Sequence, residues 1–182
     1  MKLRTLAVAG AAVSALAVAP AANADTLGQA VNGTTLGTLA LTAETPALFG
    51  TTLSPGTTAH STGGTLTAVD TATTWTLSVK DSVQANDGHM QAAALGCTSS
   101  PAQLANRAFV TVTPLVANAA ITSAGSTEVK GFASGVGSTV ASASAVPLAA
   151  TVFTTAYDQA VDANEALQTG CVYAMTNTFT LG

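Results

Sequence analysis

Charge is the scarcest property of this sequence: Lys, Arg, Asp and Glu together supply 8% of its 182 residues. Surface helices draw on Glu, Lys and Arg, and the shortage of all three beside abundant Thr and Gly argues against helical structure. Aromatic residues are sparse as well, at 4%, with a single Trp. Disorder fits no better, because disordered chains combine low hydrophobicity with high net charge, whereas 48% of this chain is apolar. Beyond residue 24 the only cations are Lys80, Arg107 and Lys130, against nine carboxylates, a formal charge of −6. Three cations scattered along an acidic chain are not the footprint of a nucleic-acid binder. They also form no basic run that would draw the chain to anionic lipid.

Catalytic signatures are missing too. The two histidines are His60 and His89. His60 stands in a Thr/Ser/Gly-rich stretch and is expected in a solvated loop. His89 follows Asp87 and Gly88, with Asp81 just upstream, and this is the most polar cluster of the chain. Asp81, Asp87 and His89 are therefore candidates for a cation site through oxygen and imidazole ligands, or for a base serving Ser82. No calcium-loop, HExxH or GxSxG spacing accompanies them. No metal, cofactor or catalytic residue is assigned, and the chain is read as a non-enzyme. Asp158, Asp162 and Glu165 lie close in sequence and are read as a solvated loop rather than the paired carboxylates of a glycosidase. The Gly-rich stretches 33–37 and 131–137 lack the spacing of phosphate cradles. Asn32-Gly33-Thr34 matches a glycosylation sequon and is read as an ordinary turn.

What is present begins at the N-terminus. Lys2 and Arg4 precede an apolar run over 6–19, followed by Pro20 and the small-residue end Ala22-Asn23-Ala24. A charged head, an apolar middle and an A-x-A end predict a signal peptide over residues 1–24, cleaved before Asp25. The run is about 14 residues, short of the roughly 20 that span a bilayer, and no second long apolar run follows, so no transmembrane anchor is expected. In an exported chain the two cysteines, Cys97 and Cys171, are expected to form a disulfide. Closing a loop of about 74 residues would remove roughly 4 kcal/mol of unfolded-chain entropy.

The apolar residues recur with a period of two. Leu39, Leu41 and Ala43 alternate with Ala40 and Thr42 until Pro46, and Leu48-Phe49 restarts the pattern. Strands are expected over 65–70 and 74–80, the second with Trp75, Leu77 and Val79 on one side and hydroxyls on the other. These two are expected to pair as a hairpin. Further strands are expected from Phe109 up to Pro114, over 149–157, and as one long run over 171–181 in which Cys171, Tyr173, Met175, Phe179 and Leu181 share a face. Single helical turns are expected over 102–105 and 162–167. About eight or nine strands separated by turn signals predict one all-β domain over residues 25–182, an antiparallel β-sandwich of Greek-key or jelly-roll type.

The strand Thr74-Trp75-Thr76-Leu77 and the C-terminal Thr178-Phe179-Thr180-Leu181 resemble the WxL-domain surface proteins of Gram-positive bacteria. Those carry Trp-x-Leu on one strand and a second Trp-x-Leu near the C-terminus, where this chain has Phe179. The resemblance implies a secreted β-rich domain that associates non-covalently with the cell wall, with Trp75, Leu77, Phe179 and Leu181 as its motif residues. A Trp in an alternating strand is also what a core anchor looks like. The resulting expectation is an extracellular, cell-surface binding or structural module whose partners are wall glycan or other surface proteins. The alternatives are a self-assembling subunit of a fibre or coat, since low charge and long strands favour edge pairing, and an extracellular enzyme acting on polymers.

Overall fold

The computed structural model describes residues 25–26, 39–49, 53–92, 103–167 and 171–182. The expected signal peptide, the sequon at Asn32 and Cys97 lie outside them. The described chain is all-β, as the composition predicts. It contains fifteen strand segments, ten of four or more residues and five of only two. Most of the two-residue pieces carry too little apolar periodicity to be read in sequence, and the count exceeds the eight or nine expected.

Two sheets form a sandwich. In the first, the order is β1 (Asp25–Thr26), β15 (Asn177–Leu181), β6 (Trp75–Asp81), β12 (Ser138–Ala143), β10 (Thr122–Ser123). The second is built around the thirteen-residue β13 (Leu148–Ala160). One of its edges takes β9 (Phe109–Pro114) and then β11 (Thr127–Glu128). Against the other edge lies β5 (Gly64–Asp70), followed outward by β2 (Leu39–Thr45). Further along that edge come β4 (Thr58–Thr62) and then β3 (Leu48–Phe49). A small third sheet runs β14 (Tyr173–Ala174), β7 (His89–Ala92), β8 (Gln103–Arg107). The ladders between these strands are antiparallel.

The inner faces follow from alternation. β5 and β6 each read buried, half-buried, buried along seven residues. Leu66, Ala68, Val110, Val112 and Phe153 of the second sheet meet Trp75, Leu77, Val79, Val140, Phe179 and Leu181 of the first. Trp75 and Phe153 pack edge to face across this core, with ring centroids 6.4 Å apart at 76°, the geometry that aromatic quadrupoles favour. β12 approaches β9 and β11 on one side of the sandwich, and β2 approaches β1 and β15 on the other. Prolines stand where ladder donors are not required: Pro46 follows β2, Pro114 ends β9 and Pro147 precedes β13.

Four local expectations are corrected. The segments 65–70 and 74–80 do not form a hairpin: β5 pairs with β2 and β13, and β6 with β15 and β12. A hairpin would lay both apolar stripes side by side on one face. Instead the chain crosses between sheets, so that the stripes face each other and bury one another. Buried Asp70 shapes the crossing by accepting the Ala72 N–H at 2.8 Å. The run 171–181 is not one strand either. It breaks between β14 and β15, sending Tyr173 to a second apolar cluster with Met90 and Leu104, and Phe179 and Leu181 to the main core. The helical turn expected over 102–105 is replaced from Gln103 onward by β8, whose Leu104 is fully buried. The stretch 162–167 is a hydrogen-bonded turn, held because the Glu165 carboxylate accepts the Ala105 N–H at 2.7 Å and the Asp162 N–H at 3.2 Å.

Tyr157 of β13 packs against the main core. Burial pushes its phenol up to about 12, while the Asn177 side chain on β15 acts in the opposite direction. A folded-state value above the unfolded one means the neutral phenol is favoured by folding. Stability is therefore expected to hold up to pH 10 and to fall by about 2 kcal/mol as the pH rises from roughly 10 to 12. Urea titrations at stepped alkaline pH check this, and Tyr157→Phe should flatten the slope.

Candidate functional site

The motif residues come together in space. β6 and β15 are neighbours, with Leu77 opposite Leu181 and Val79 opposite Phe179. The pairing runs on past the strand, since Thr76 and Gly182 exchange both backbone hydrogen bonds, at 2.7 and 3.0 Å. All four side chains are interior, with Trp75 1%, Leu77 0%, Phe179 4% and Leu181 0% exposed. The two copies of the motif thus make one continuous piece of core, and none of the four presents a surface to a ligand.

The polar cluster resolves into separate structural duties. Asp81 is fully buried, and its two carboxylate oxygens accept the Val83 N–H at 2.8 Å and the Gly88 N–H at 2.9 Å, closing the 82–88 loop. Asp87 turns that loop with a left-handed φ of 49°, followed by Gly88 at 86°, a conformation that a short polar side chain tolerates. The Asp87 carboxylate then pairs with Arg107 at 2.6 Å, and Arg107 also reaches Glu128 at 2.9 Å. These two partners, Glu128 first, raise the Arg107 pKa above its ordinary value. A Cβ at position 131 would collide with the same Asp87 carboxylate, which explains Gly131.

His89 donates from Nδ1 to the Leu104 carbonyl at 2.8 Å, and the Ser82 hydroxyl donates to the Thr176 carbonyl. No serine–histidine contact arises from that pair. Among the described residues no group of three His, Cys, Asp or Glu side chains is arranged for a metal ion. His60 is not in a loop: it lies on β4, opposite Asp158 on β13, and the two side chains meet at 2.6 Å. Nor are the carboxylates of 158–165 a solvated loop. Glu165 is buried, and Asp162 accepts the Asn106 side-chain N–H at 2.9 Å.

The feature that sequence reading missed lies on the outer face of the second sheet. Thr113 of β9, Thr154 of β13, Thr65 of β5 and Thr45 of β2 stand in one row across four strands. Their hydroxyls meet in pairs, Thr113 with Thr154 at 2.9 Å and Thr45 with Thr65 at 2.8 Å. Thr42 and Thr67 form the start of the next row. On the other side Thr111 faces Ala156, and beyond them Phe109, Asp158 and His60 align. The signal was present as Thr65-x-Thr67 and Thr111-x-Thr113, but a period of two alone does not say which strands become neighbours. This array is a hydroxyl-bearing surface of β-branched side chains, chemically suited to hydrogen bonding with polyols.

Cys171, partly buried, packs against the Met90–Leu104–Tyr173 cluster, and its expected partner Cys97 lies outside the described residues. In comparisons with protein-family models, with curated proteins and with solved structures, no match is found.

Proposed function

We propose that this chain is an extracellular, non-catalytic binding module that attaches to cell-wall glycan through the outer face of its larger sheet. The observation that carries the reading is the four-strand threonine row with its neighbouring hydroxyls. Threonines held by β-structure keep one rotamer at low entropic cost, so the hydroxyl pattern is organised before a sugar arrives. Burial of Trp75, Leu77, Phe179 and Leu181 moves the expected contact surface away from the WxL-like motif, whose role becomes architectural. Export through residues 1–24 and a Cys97–Cys171 disulfide belong to the same reading, supported by the signal pattern and by an isolated pair of cysteines in an exported chain. Close approach of the sheets on both sides of the sandwich weighs against edge-to-edge assembly as the primary role.

The test is co-sedimentation with purified peptidoglycan sacculi. Wild-type protein should pellet, and a Thr65→Val/Thr154→Val double variant, which keeps shape and β-propensity, should stay largely in the supernatant. A double variant that pellets like wild type would remove the threonine face from the proposal.

A further inference from the structure

Lys80 and Lys130 are fifty positions apart in sequence but adjacent in space. They form a parallel bridge between the end of β6 and the segment after β11, where the Asp81 N–H bonds to the Lys130 carbonyl at 2.8 Å. Neither lysine has a carboxylate within ion-pair distance among the described residues. The nearby acids are otherwise engaged, Asp87 and Glu128 by Arg107, and buried Asp81 by two backbone N–H groups. The two lysines therefore stand unpaired beside the Arg107–Asp87–Glu128 cluster, in which the cation and the carboxylates already engage one another.

Three exposed apolar side chains stand at the same corner. Phe132 is 41% and Val136 73% exposed in the loop after Lys130, and Val83 is 41% exposed in the loop after Asp81. The parallel bridge brings the starts of these two loops together. Lys80 Nζ lies 5.5 Å from the Phe132 ring centroid, so the cation and the ring form one amphipathic unit. A Cβ built on Gly135, in the loop after Lys130, would meet nothing within 4 Å, so that position opens onto free space. Phe132 and Val136 are exposed apolar side chains on the segment between Gly131 and Gly137. They suit a deformable interface into which they can insert while the lysines reach up to charged headgroups.

We infer that the corner formed by Lys80, Lys130, Phe132, Val136 and Val83 is a docking site for an anionic lipid bilayer surface. It is separate from the threonine face and independent of that reading. Phe132 and the valines enter the interfacial region, and the two lysines pair with headgroup phosphates. Contact is weak and reversible, since two lysines and three partly exposed apolar groups fall well short of a stable anchor.

Co-sedimentation with vesicles tests this. The full chain should pellet with vesicles of equal parts phosphatidylglycerol and phosphatidylcholine at low salt, less at high salt, and not with phosphatidylcholine alone. Lys80→Gln/Lys130→Gln should lower the partition coefficient by about 30-fold, the effect of two lysines near an anionic surface. Phe132→Ser/Val136→Ser should abolish pelleting. Leu115→Ser/Val116→Ser, at the far end of β9, should leave it unchanged. All three pairs alter side chains outside the main core, and thermal melts verify that each is folded. Failure of wild type to pellet with the anionic vesicles would overturn the inference. So would equal binding to uncharged vesicles, or equal loss in the Leu115/Val116 variant.

Discussion

Trp75→Ala is expected to lower folding stability by about 3–5 kcal/mol, the range for emptying a large aromatic site in a packed core. Trp75 is 1% exposed and meets Phe153 edge to face across the sandwich. Its removal strips the joint between β6 and β13 of both its volume and its aromatic contact. Trp75→Phe keeps a ring in the site and should lose less. Urea unfolding checks both, with the midpoint falling and the slope preserved. The pair also separates two roles for the WxL-like motif. If the motif is architectural, Trp75→Phe remains folded at moderate temperature and still pellets with sacculi. If Trp75 contacts the wall, sacculus binding is lost while stability changes little, and a loss below about 1 kcal/mol for the alanine variant would rule out the core role argued from burial.

The second large effect concerns the cysteines. Cys97→Ser is expected to cost roughly 4 kcal/mol if the pair closes its loop of about 74 residues, because the unfolded chain regains the freedom the cross-link removed. The loss should concentrate in the small sheet, where Cys171 packs with Met90, Leu104 and Tyr173 beside β7 and β14. Hydrogen exchange should therefore speed up in β7, β8 and β14 before it does in β6 or β13. Intact mass provides the direct check, since a disulfide removes two hydrogens. A thiol-reactive probe that labels Cys171 in the folded, unreduced protein would contradict the pairing, and the serine variant would then be nearly neutral.

Much of the architecture was legible from residue order. Alternation in 74–80 placed Trp75, Leu77 and Val79 inward, and β6 buries those three. Proline positions marked the ends of β2 and β9 correctly. The hairpin error at Asp70 arose because two alternating strands joined by a short polar segment satisfy local rules equally well as a hairpin or as a crossing between sheets. Only burial of both stripes at once decides between them. The break between β14 and β15 escaped notice for a similar reason: alternation continues through Met175, and the sequence carries no sign that two different cores compete for the two halves.

The candidate surfaces were less legible than the fold. Asp81, Asp87 and His89 looked like a site because they are polar and close in sequence. Tertiary structure assigns their atoms to backbone N–H groups, to Arg107 and to a carbonyl, duties that no spacing rule foretells. The reverse holds for the threonines. Thr45, Thr65, Thr113 and Thr154 are unremarkable one by one in a Thr-rich chain, and they become a row only through the registers of β2, β5, β9 and β13. Lys80 and Lys130 were likewise scattered cations until a single bridge joined them.

Residue order alone was enough to predict an all-β chain and to choose the inward face of 74–80, because these depend on side-chain period and backbone restriction within a few residues. Which strands became neighbours, which sheet each joined and which surface residues gathered was decided only when both apolar faces were buried together. That burial is a property of the whole chain, where interactions distant in sequence outweigh local preference.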